Sequence, residues 1–141
     1  MIRVHGTSVA LDGDGVLLRG PSGCGKSDLA LRLIDSGAQL VADDQTELRL
    51  EDGDIAMSAP ATIAGQIEAR GIGLLRVPCV ASAPLRMVVD LVSSAEIERM
   101  PEPSACTLLG RSVPRLALAP FEASVAAKLR LALRTVPLGV R

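Results

Sequence analysis

Residues 20–27 match the pattern G-x-x-x-x-G-K-[ST], which is typical of a loop that binds phosphate groups. The pattern comprises Gly20, Pro21, Ser22, Gly23, Cys24, Gly25, Lys26 and Ser27. Its glycines let the backbone curl so that N–H groups point at phosphate oxygens, and a helix that begins near Lys26 adds the positive end of its dipole. Lys26 is expected to bridge the β- and γ-phosphates, while the Ser27 hydroxyl ligates Mg²⁺. The pattern therefore predicts a site for a nucleoside triphosphate and Mg²⁺.

Transfer or hydrolysis of a phosphoryl group also needs a carboxylate near that loop. Asp43 and Asp44 follow the short apolar run 40–42, which would place them at the carboxyl edge of a sheet, where an aspartate of the pair could be a general base. The alternative is that the pair ends a strand in a solvated turn. Asp90, after the apolar run 87–89, is the second-ranked candidate as a metal-orienting carboxylate, although the apolar residues 91–92 favour a position within a strand.

The elements that would position these residues follow from hydrophobic spacing and turn signals. Apolar spacing predicts helices over residues 26–36 and 122–134, the second packed on a sheet. Strands are predicted over 2–11 and 16–18 as one hairpin, over 40–42, over 46–50 and 55–57 as a second hairpin, and along the apolar run 85–92. Residues 100–114 lack periodicity and are expected to form a loop. This order predicts an α/β fold.

Composition limits the class of protein. With 141 residues and 48% hydrophobic content, the sequence predicts a single domain over 1–141. Its 15 basic and 16 acidic residues are interspersed and Phe121 is its one aromatic residue, so nucleic acid is not an expected partner. The three cysteines lack the spacing of a zinc site or a disulfide framework, and no run of about 18 apolar residues occurs. A cytoplasmic protein without a membrane anchor is expected.

Four segments together resemble one known family. They are Val4-His5-Gly6, the loop 20–27, Leu40-Val41-Ala42-Asp43-Asp44, and Glu68-Ala69-Arg70-Gly71-Ile72-Gly73. Their order and approximate spacing are similar to those of the HPr kinase/phosphorylase catalytic domain. The resemblance covers residues 3–92 and extends more weakly to residue 133. It implies a P-loop kinase domain with a mixed sheet and flanking helices.

The resemblance also implies an activity and a set of roles. It implies an enzyme that uses ATP and Mg²⁺ to phosphorylate a serine of the phosphocarrier protein HPr, with Asp44 as the base. It makes Glu68 a second Mg²⁺ ligand, Arg70 a partner for phosphoryl oxygens, and His5 the active-site histidine beside the base. Arg99 is aligned with an arginine of a loop in the family's site. A homo-hexamer is the assembly that the resemblance implies.

The sequence departs from the family in three places, one of which is its short C-terminal part, ending at Arg141. It begins almost at the catalytic domain, so the family's N-terminal domain is expected to be missing. Residues 119–124 carry Phe121 and Glu122 where the family usually has a glycine-containing loop associated with dephosphorylation, which leaves the phosphate-dependent reverse reaction open. The alternatives are a small-molecule P-loop kinase, which would need residues 100–114 as a lid, and a nucleotide-sensing module without catalysis.

Overall fold

The structure is a computed structural model that describes residues 1–139. Within them the chain forms eleven β-strands, two α-helices and two single-turn 3-10 helices. The helices are α1 (Lys26–Asp35) and α2 (Val125–Gly139), and neither is both long and apolar enough to cross a membrane. The strands are β1 (Ile2–His5), β2 (Thr7–Leu11), β3 (Asp14–Arg19), β4 (Gln39–Ala42), β5 (Gln45–Glu51), β6 (Asp54–Ser58), β7 (Gln66–Ala69), β8 (Gly73–Arg76), β9 (Ser82–Leu91), β10 (Ser104–Leu108) and β11 (Arg111–Leu118). The 3-10 helices are Ala61–Ile63 and Ser94–Glu96.

Nine of these strands form one mixed sheet, whose main path is β1-β5-β6-β9-β3-β2-β4. The long strand β9 is its centre, because it pairs in parallel with β3 and with β11 and antiparallel with β6. β10 pairs with β11, and β7 and β8 form a separate hairpin. Both helices share an apolar cluster with the sheet. The predicted α/β fold is therefore confirmed, while a single domain over 1–141 stays a prediction.

The strand that precedes the glycine-rich loop, β3, is buried on both faces. Its Val16 and Leu18 pack with Leu29 of α1, whereas Leu17, which points the other way, packs with Met57 of β6. All five side chains are fully inaccessible to solvent. The loop 20–27 therefore starts from a rigid part of the core.

The local predictions hold where turn signals and spacing were strong. The helix expected over 26–36 is α1, and the hairpin expected over 46–57 is β5–β6. The single strand expected over 2–11 is wrong in part, because the chain divides at Gly6: β2 forms the expected hairpin with β3, whereas β1 pairs with β5. The run 85–92 lies in β9, which also places Asp90 within a strand as its neighbours indicated. The terminal helix begins at Val125, three residues later than the spacing suggested.

The prediction of a loop over 100–114 is wrong, because β10 and β11 form an antiparallel hairpin there. β10 has only five residues, and its two inward residues, Cys106 and Leu108, are only partly buried, so its apolar alternation is too short and weak to mark a strand in sequence. Its turn has positive φ at Leu109 (49°) and Gly110 (75°), the conformation of a type I′ turn, for which Asn-Gly is the usual signal. The hairpin is held by backbone pairing and by β9 beside β11.

An ion-pair cluster joins β3, β9 and β11 close to the start of the glycine-rich loop. Arg19 makes a fork to Asp90, with Nε 2.8 Å from Oδ1 and Nη2 3.0 Å from Oδ2, and Nε of Arg115 also donates to Oδ2. Burial acts to raise the pKa of Asp90, but the hydrogen bonds and charges of the two arginines outweigh it and hold that pKa below its ordinary value. The same pairing raises the pKa of Arg19. Asp90 is therefore a structural carboxylate that fixes the residue before Gly20.

We expect Asp90→Asn to lower the free energy of unfolding at pH 7 by about 1–3 kcal/mol, because two arginines lose a charged acceptor. Since the folded-state pKa of Asp90 is depressed, its contribution is present above the ordinary value of about 3.9 and is lost as pH falls below it. Denaturant unfolding between pH 7 and pH 2.5 should show the gap between wild type and variant closing in acid. Glu51→Gln, which removes an exposed partner of Arg49, is the matched control and should cost less than about 1 kcal/mol. If the difference in unfolding free energy between wild type and Asp90→Asn does not change with pH, the stabilising role of the charged carboxylate is contradicted.

Candidate functional site

The loop 20–27 joins β3 to α1, which is the strand-loop-helix context that its sequence pattern requires. Gly25 caps α1 with φ of 108°, a left-handed conformation that a side chain would strain. A Cβ at this position would also lie 2.9 Å from the ring of Phe121. No side chain caps the N-terminus of α1, so the N–H groups of its first turn remain available at the loop.

Lys26 is buried and its ammonium group is held against the loop. Nζ donates to the carbonyl oxygens of Gly20 at 2.7 Å and Pro21 at 3.0 Å. Its positive charge is therefore fixed beside the glycine-rich backbone. This is the place that the sequence pattern assigned to it.

Sheet topology brings the two aspartates to the same edge as this loop. β4 is antiparallel to β2, and β2 is antiparallel to β3, so β3 and β4 run in the same direction. The loop follows β3, Asp43 follows β4, and Thr7 begins β2 between them. Charged groups that are distant in sequence thus meet at one edge of the sheet.

Asp43 lies at the centre of this edge with only 8% of its surface exposed. Its Oδ1 accepts hydrogen bonds from Ser27 Oγ at 2.7 Å and Thr7 Oγ1 at 3.1 Å, and its Oδ2 accepts one from the backbone N–H of Glu68 at 3.0 Å. A buried carboxylate requires such donors, because an unpaired one would be strongly destabilising. The Asp43 side chain therefore joins α1, β2 and β7.

Asp44 turns the other way and contacts His5. Its Oδ1 lies 3.0 Å from Nε2 of His5, and both side chains are open to solvent. The backbone of Asp44 is left-handed, with φ of 67°, and is held by Gly6 N–H to its carbonyl oxygen (2.8 Å) and by its own N–H to Thr7 Oγ1 (3.1 Å). Gly6 must be glycine, since a Cβ would lie 2.8 Å from Cδ1 of Leu17. The Val4-His5-Gly6 segment therefore positions the carboxylate of Asp44.

The hairpin β7–β8 closes this side of the site. Glu68 lies in β7 and Arg70 in the turn that follows, and both side chains are exposed toward the loop 20–27. The hydrogen bond from the Glu68 backbone to Asp43 attaches the hairpin to the sheet edge.

These groups line one cleft of about 550 Å³. Its lining residues are Ser22, Gly23, Gly25, Lys26, Ser27, Asp28, Leu31, Asp43, Asp44, Glu68, Ala69, Arg70 and Phe121. The cleft combines a lysine, an arginine and loop N–H groups with several carboxylates. It is suited to an anion that carries phosphate groups together with a divalent cation.

The donor atoms fit Mg²⁺ in the manner of a nucleotide-bound ion. Among the described residues, no three His, Cys, Asp or Glu side chains form a cluster that could hold a metal ion. Mg²⁺ is usually bound by one or two protein ligands, with phosphate oxygens and waters completing its octahedron. The hydroxyl of Ser27 and the carboxylate of Glu68, which line one cleft, are oxygen donors of that kind.

The structure brings most of the predicted site residues together. His5 joins the cleft through Asp44, whereas Arg99 lies in the irregular stretch before β10 and does not line it. Asp90 also lies outside the lining and is engaged by two arginines, so the geometry gives no support to its role as a metal-orienting carboxylate.

Sequence reasoning missed the roles of Asp43, Thr7 and Phe121. The signal for Asp43 was present, because a loop serine and an aspartate after a parallel strand commonly act together on Mg²⁺. No local signal marks Thr7, whose partners lie 36 and 37 residues away. Phe121 was noted only as a departure from the resembled family.

Comparison with known proteins agrees with this geometry. Residues 1–118 match the family described as HPr Serine kinase C-terminal domain. The HPr kinase/phosphorylase of Clostridium botulinum is 44% identical over 75 residues, 53% of this chain and 25% of that protein. The HPr kinase/phosphorylase of Caldanaerobacter subterraneus is 46% identical over 99 residues, 67% of this chain and 32% of that protein. The aligned parts thus span a quarter to a third of these relatives.

A solved structure extends the similarity to nearly the whole chain. The Hpr(Ser) kinase/phosphatase from Coxiella burnetii superimposes with a TM-score of 0.85 and 28% identity, covering 98% of this chain and 92% of that one. Fold and site together define an α/β domain with a glycine-rich loop for phosphate groups. More specifically, the chain belongs to the HPr kinase C-terminal domain family.

We expect Thr7→Val to impair phosphoryl transfer by about 10-fold or more, because Thr7 positions both aspartates while contributing nothing to the lining of the cleft. Thr7→Ser keeps the hydroxyl and should restore most of the rate. The pair is compared by single-turnover transfer and by thermal unfolding. A loss in Thr7→Val that is matched by Thr7→Ser would contradict the role of the hydroxyl.

Proposed function

We propose that this chain is the catalytic domain of an ATP-dependent kinase that phosphorylates a serine hydroxyl of HPr. The observation that carries the proposal is the His5–Asp44 pair, which stands at the same cleft as Lys26 and Ser27. A nucleotide site needs the loop alone, whereas the exposed carboxylate beside it supplies a group that can accept a proton from an acceptor hydroxyl. Family membership and the names of the relatives support HPr as that acceptor.

In the forward reaction each residue has one task. Loop N–H groups and Lys26 bind the phosphates of ATP, and Arg70 contacts the oxygens of the transferring group. Ser27 and Glu68 would hold Mg²⁺, which would neutralise phosphate charge when bound, and Asp43 orients the hydroxyl of Ser27. The bond between the γ-phosphorus and the β–γ bridging oxygen breaks, so that ADP leaves.

Asp44 accepts the proton of the serine hydroxyl as its oxygen attacks the γ-phosphorus. The imidazole of His5, with its proton on Nε2, donates to Oδ1 of Asp44 and leaves Oδ2 for the acceptor. The left-handed backbone at Asp44 aims this carboxylate away from Asp43. Asp44 therefore keeps one carboxylate oxygen available for proton transfer, whereas both oxygens of Asp43 accept hydrogen bonds.

The other candidates receive less support. A small-molecule kinase was expected to use residues 100–114 as a lid, but no residue of that stretch lines the cleft.

The free thiols of Cys24, Cys79 and Cys106 are consistent with a reducing cytoplasm. The hexamer and the role of Arg99 stay predictions from the resemblance.

The test is transfer of label from γ-labelled Mg-ATP to HPr, scored as acid-stable phosphoserine. We expect Lys26→Ala to lose transfer by about 10²-fold or more, because the phosphates lose their buried ammonium partner. Lys128→Ala is a matched control, since Lys128 is the chain's other lysine and lies on α2 in an exposed pair with Glu122. Wild-type protein that retains ATP without labelling HPr would make the chain a nucleotide-sensing module.

We expect Asp44→Asn to lower the single-turnover rate of transfer by about 10²- to 10⁴-fold, with little change in nucleotide affinity, because the amide keeps the shape but cannot accept the proton. If phosphoserine-HPr and inorganic phosphate react in reverse, that rate should fall with it, since one carboxylate serves both directions. Asp90→Asn is the control: it removes a structural carboxylate outside the cleft, so at a temperature where the variant is fully folded we expect nucleotide affinity and transfer near wild type. An active Asp44→Asn, or an Asp90→Asn that loses nucleotide at low Mg²⁺, would overturn the assignment.

A further inference from the structure

Phe121 is the only aromatic residue of the chain, and its side chain lies at the phosphate cleft. It is 71% exposed, although apolar side chains of this size are usually buried. Its ring lies over Gly25, close enough that a Cβ there would stand 2.9 Å from it. An exposed ring at the edge of a polar cleft presents a flat apolar surface to whatever the cleft binds.

The segment that carries this ring is fixed to α1. Ala119 and Pro120 are buried, and the guanidinium group of Arg32 donates to the carbonyl oxygen of Pro120. Arg32 is itself held by Asp28, with Nε 3.1 Å from Oδ2. The ring of Phe121 is therefore exposed on an anchored backbone, so it needs little ordering when it makes a contact.

The segment of Phe121 is held by residues of α1 other than the one that contacts Asp43. Ser27 contacts Asp43, whereas Asp28 and Arg32 hold the segment of Phe121, and successive residues of a helix point about 100° apart. In a loop of this kind the backbone cradles the α- and β-phosphates, while the lysine and serine serve the β- and γ-phosphates. The nucleoside is attached to these phosphates, and the cleft that surrounds the loop offers Phe121 as its one aromatic lining residue.

We propose that Phe121 is the platform on which the base of the bound nucleotide stacks, an inference that rests on the nucleotide site proposed above. Every base has a π-face, so such a platform binds a nucleotide through the contact area between ring and base and not through hydrogen bonds. Stacking of a base on an aromatic side chain corresponds to about 5- to 150-fold in affinity. This contact acts on the nucleoside alone and leaves the phosphates to the loop.

The experiment compares Mg-ATP, Mg-ADP and Mg-pyrophosphate as ligands of wild type, Phe121→Ala and Phe121→Trp by titration calorimetry. Pyrophosphate occupies the loop without a base, so it reports whether the loop itself is intact. We expect Phe121→Ala to weaken ATP and ADP by about 5- to 150-fold and pyrophosphate by less than about 2-fold. Phe121→Trp should bind ATP at least as tightly as wild type.

Phe121→Trp is also a spectroscopic probe, because the chain contains no tryptophan or tyrosine. Its emission should change on binding ATP and ADP and stay unchanged with pyrophosphate. Leu131→Trp is the control, since Leu131 is an exposed residue of α2 outside the cleft, and its emission should not respond to any of the three.

Four results would overturn the inference in different ways. An equal loss of ATP and pyrophosphate in Phe121→Ala would mean that the ring only supports Gly25. If Phe121→Ala leaves nucleotide affinity unchanged but raises the KM for HPr, the ring contacts the acceptor protein and not the base. Wild-type protein that binds neither ATP nor pyrophosphate would remove the proposed function itself, whereas nucleotide binding that is insensitive to Phe121 would remove the platform alone.

Discussion

The site depends on one buried carboxylate and the donors that satisfy it. Asp43 has no arginine or lysine partner among the described contacts, so hydroxyls of Ser27 and Thr7 and the N–H of Glu68 must compensate for its lost hydration. Each of these donors belongs to a different element. Satisfying a single side chain therefore fixes the start of α1, the first residue of β2 and the hairpin β7–β8 relative to one another, and no described buried side-chain polar atom is left without a partner.

The next residue has the opposite environment for the same reason. Once the Asp43 side chain is directed inward, the chain must reverse at once into β5, and Asp44 takes a left-handed backbone that costs about 1–2 kcal/mol. Two backbone hydrogen bonds, one from Gly6 and one to Thr7, offset that cost. This left-handed backbone directs the carboxylate of Asp44 outward, where it contacts His5. The adjacent aspartates acquire different roles because both lie in the two-residue bend between β4 and β5, where Asp43 bonds to Ser27 and Thr7 while Asp44 bonds to His5.

The parts of the structure that could be predicted are those with local causes. The glycine-rich loop, α1 and the hairpins β2–β3 and β5–β6 are marked by residues within a few positions of each other. The hairpin β10–β11 could not be predicted, since its exposed strand is held by pairing with a partner and not by its own pattern. Asp90 was a plausible metal carboxylate until Arg19 and Arg115, 71 and 25 residues away, were brought to it by the sheet. Thr7 acts through partners equally remote in sequence.

Residues 119–124, where the sequence was expected to depart from the family, lie against the glycine-rich loop. Pro120 and Phe121 border Gly25 and are tied to Arg32, whereas His5 and Asp44 are tied to β2 and β4. The groups that would move the proton and the wall that borders the glycine-rich loop are therefore built from separate segments with separate hydrogen bonds. Substitution in one segment can change which ligand the loop accepts without displacing the carboxylate that acts on the acceptor.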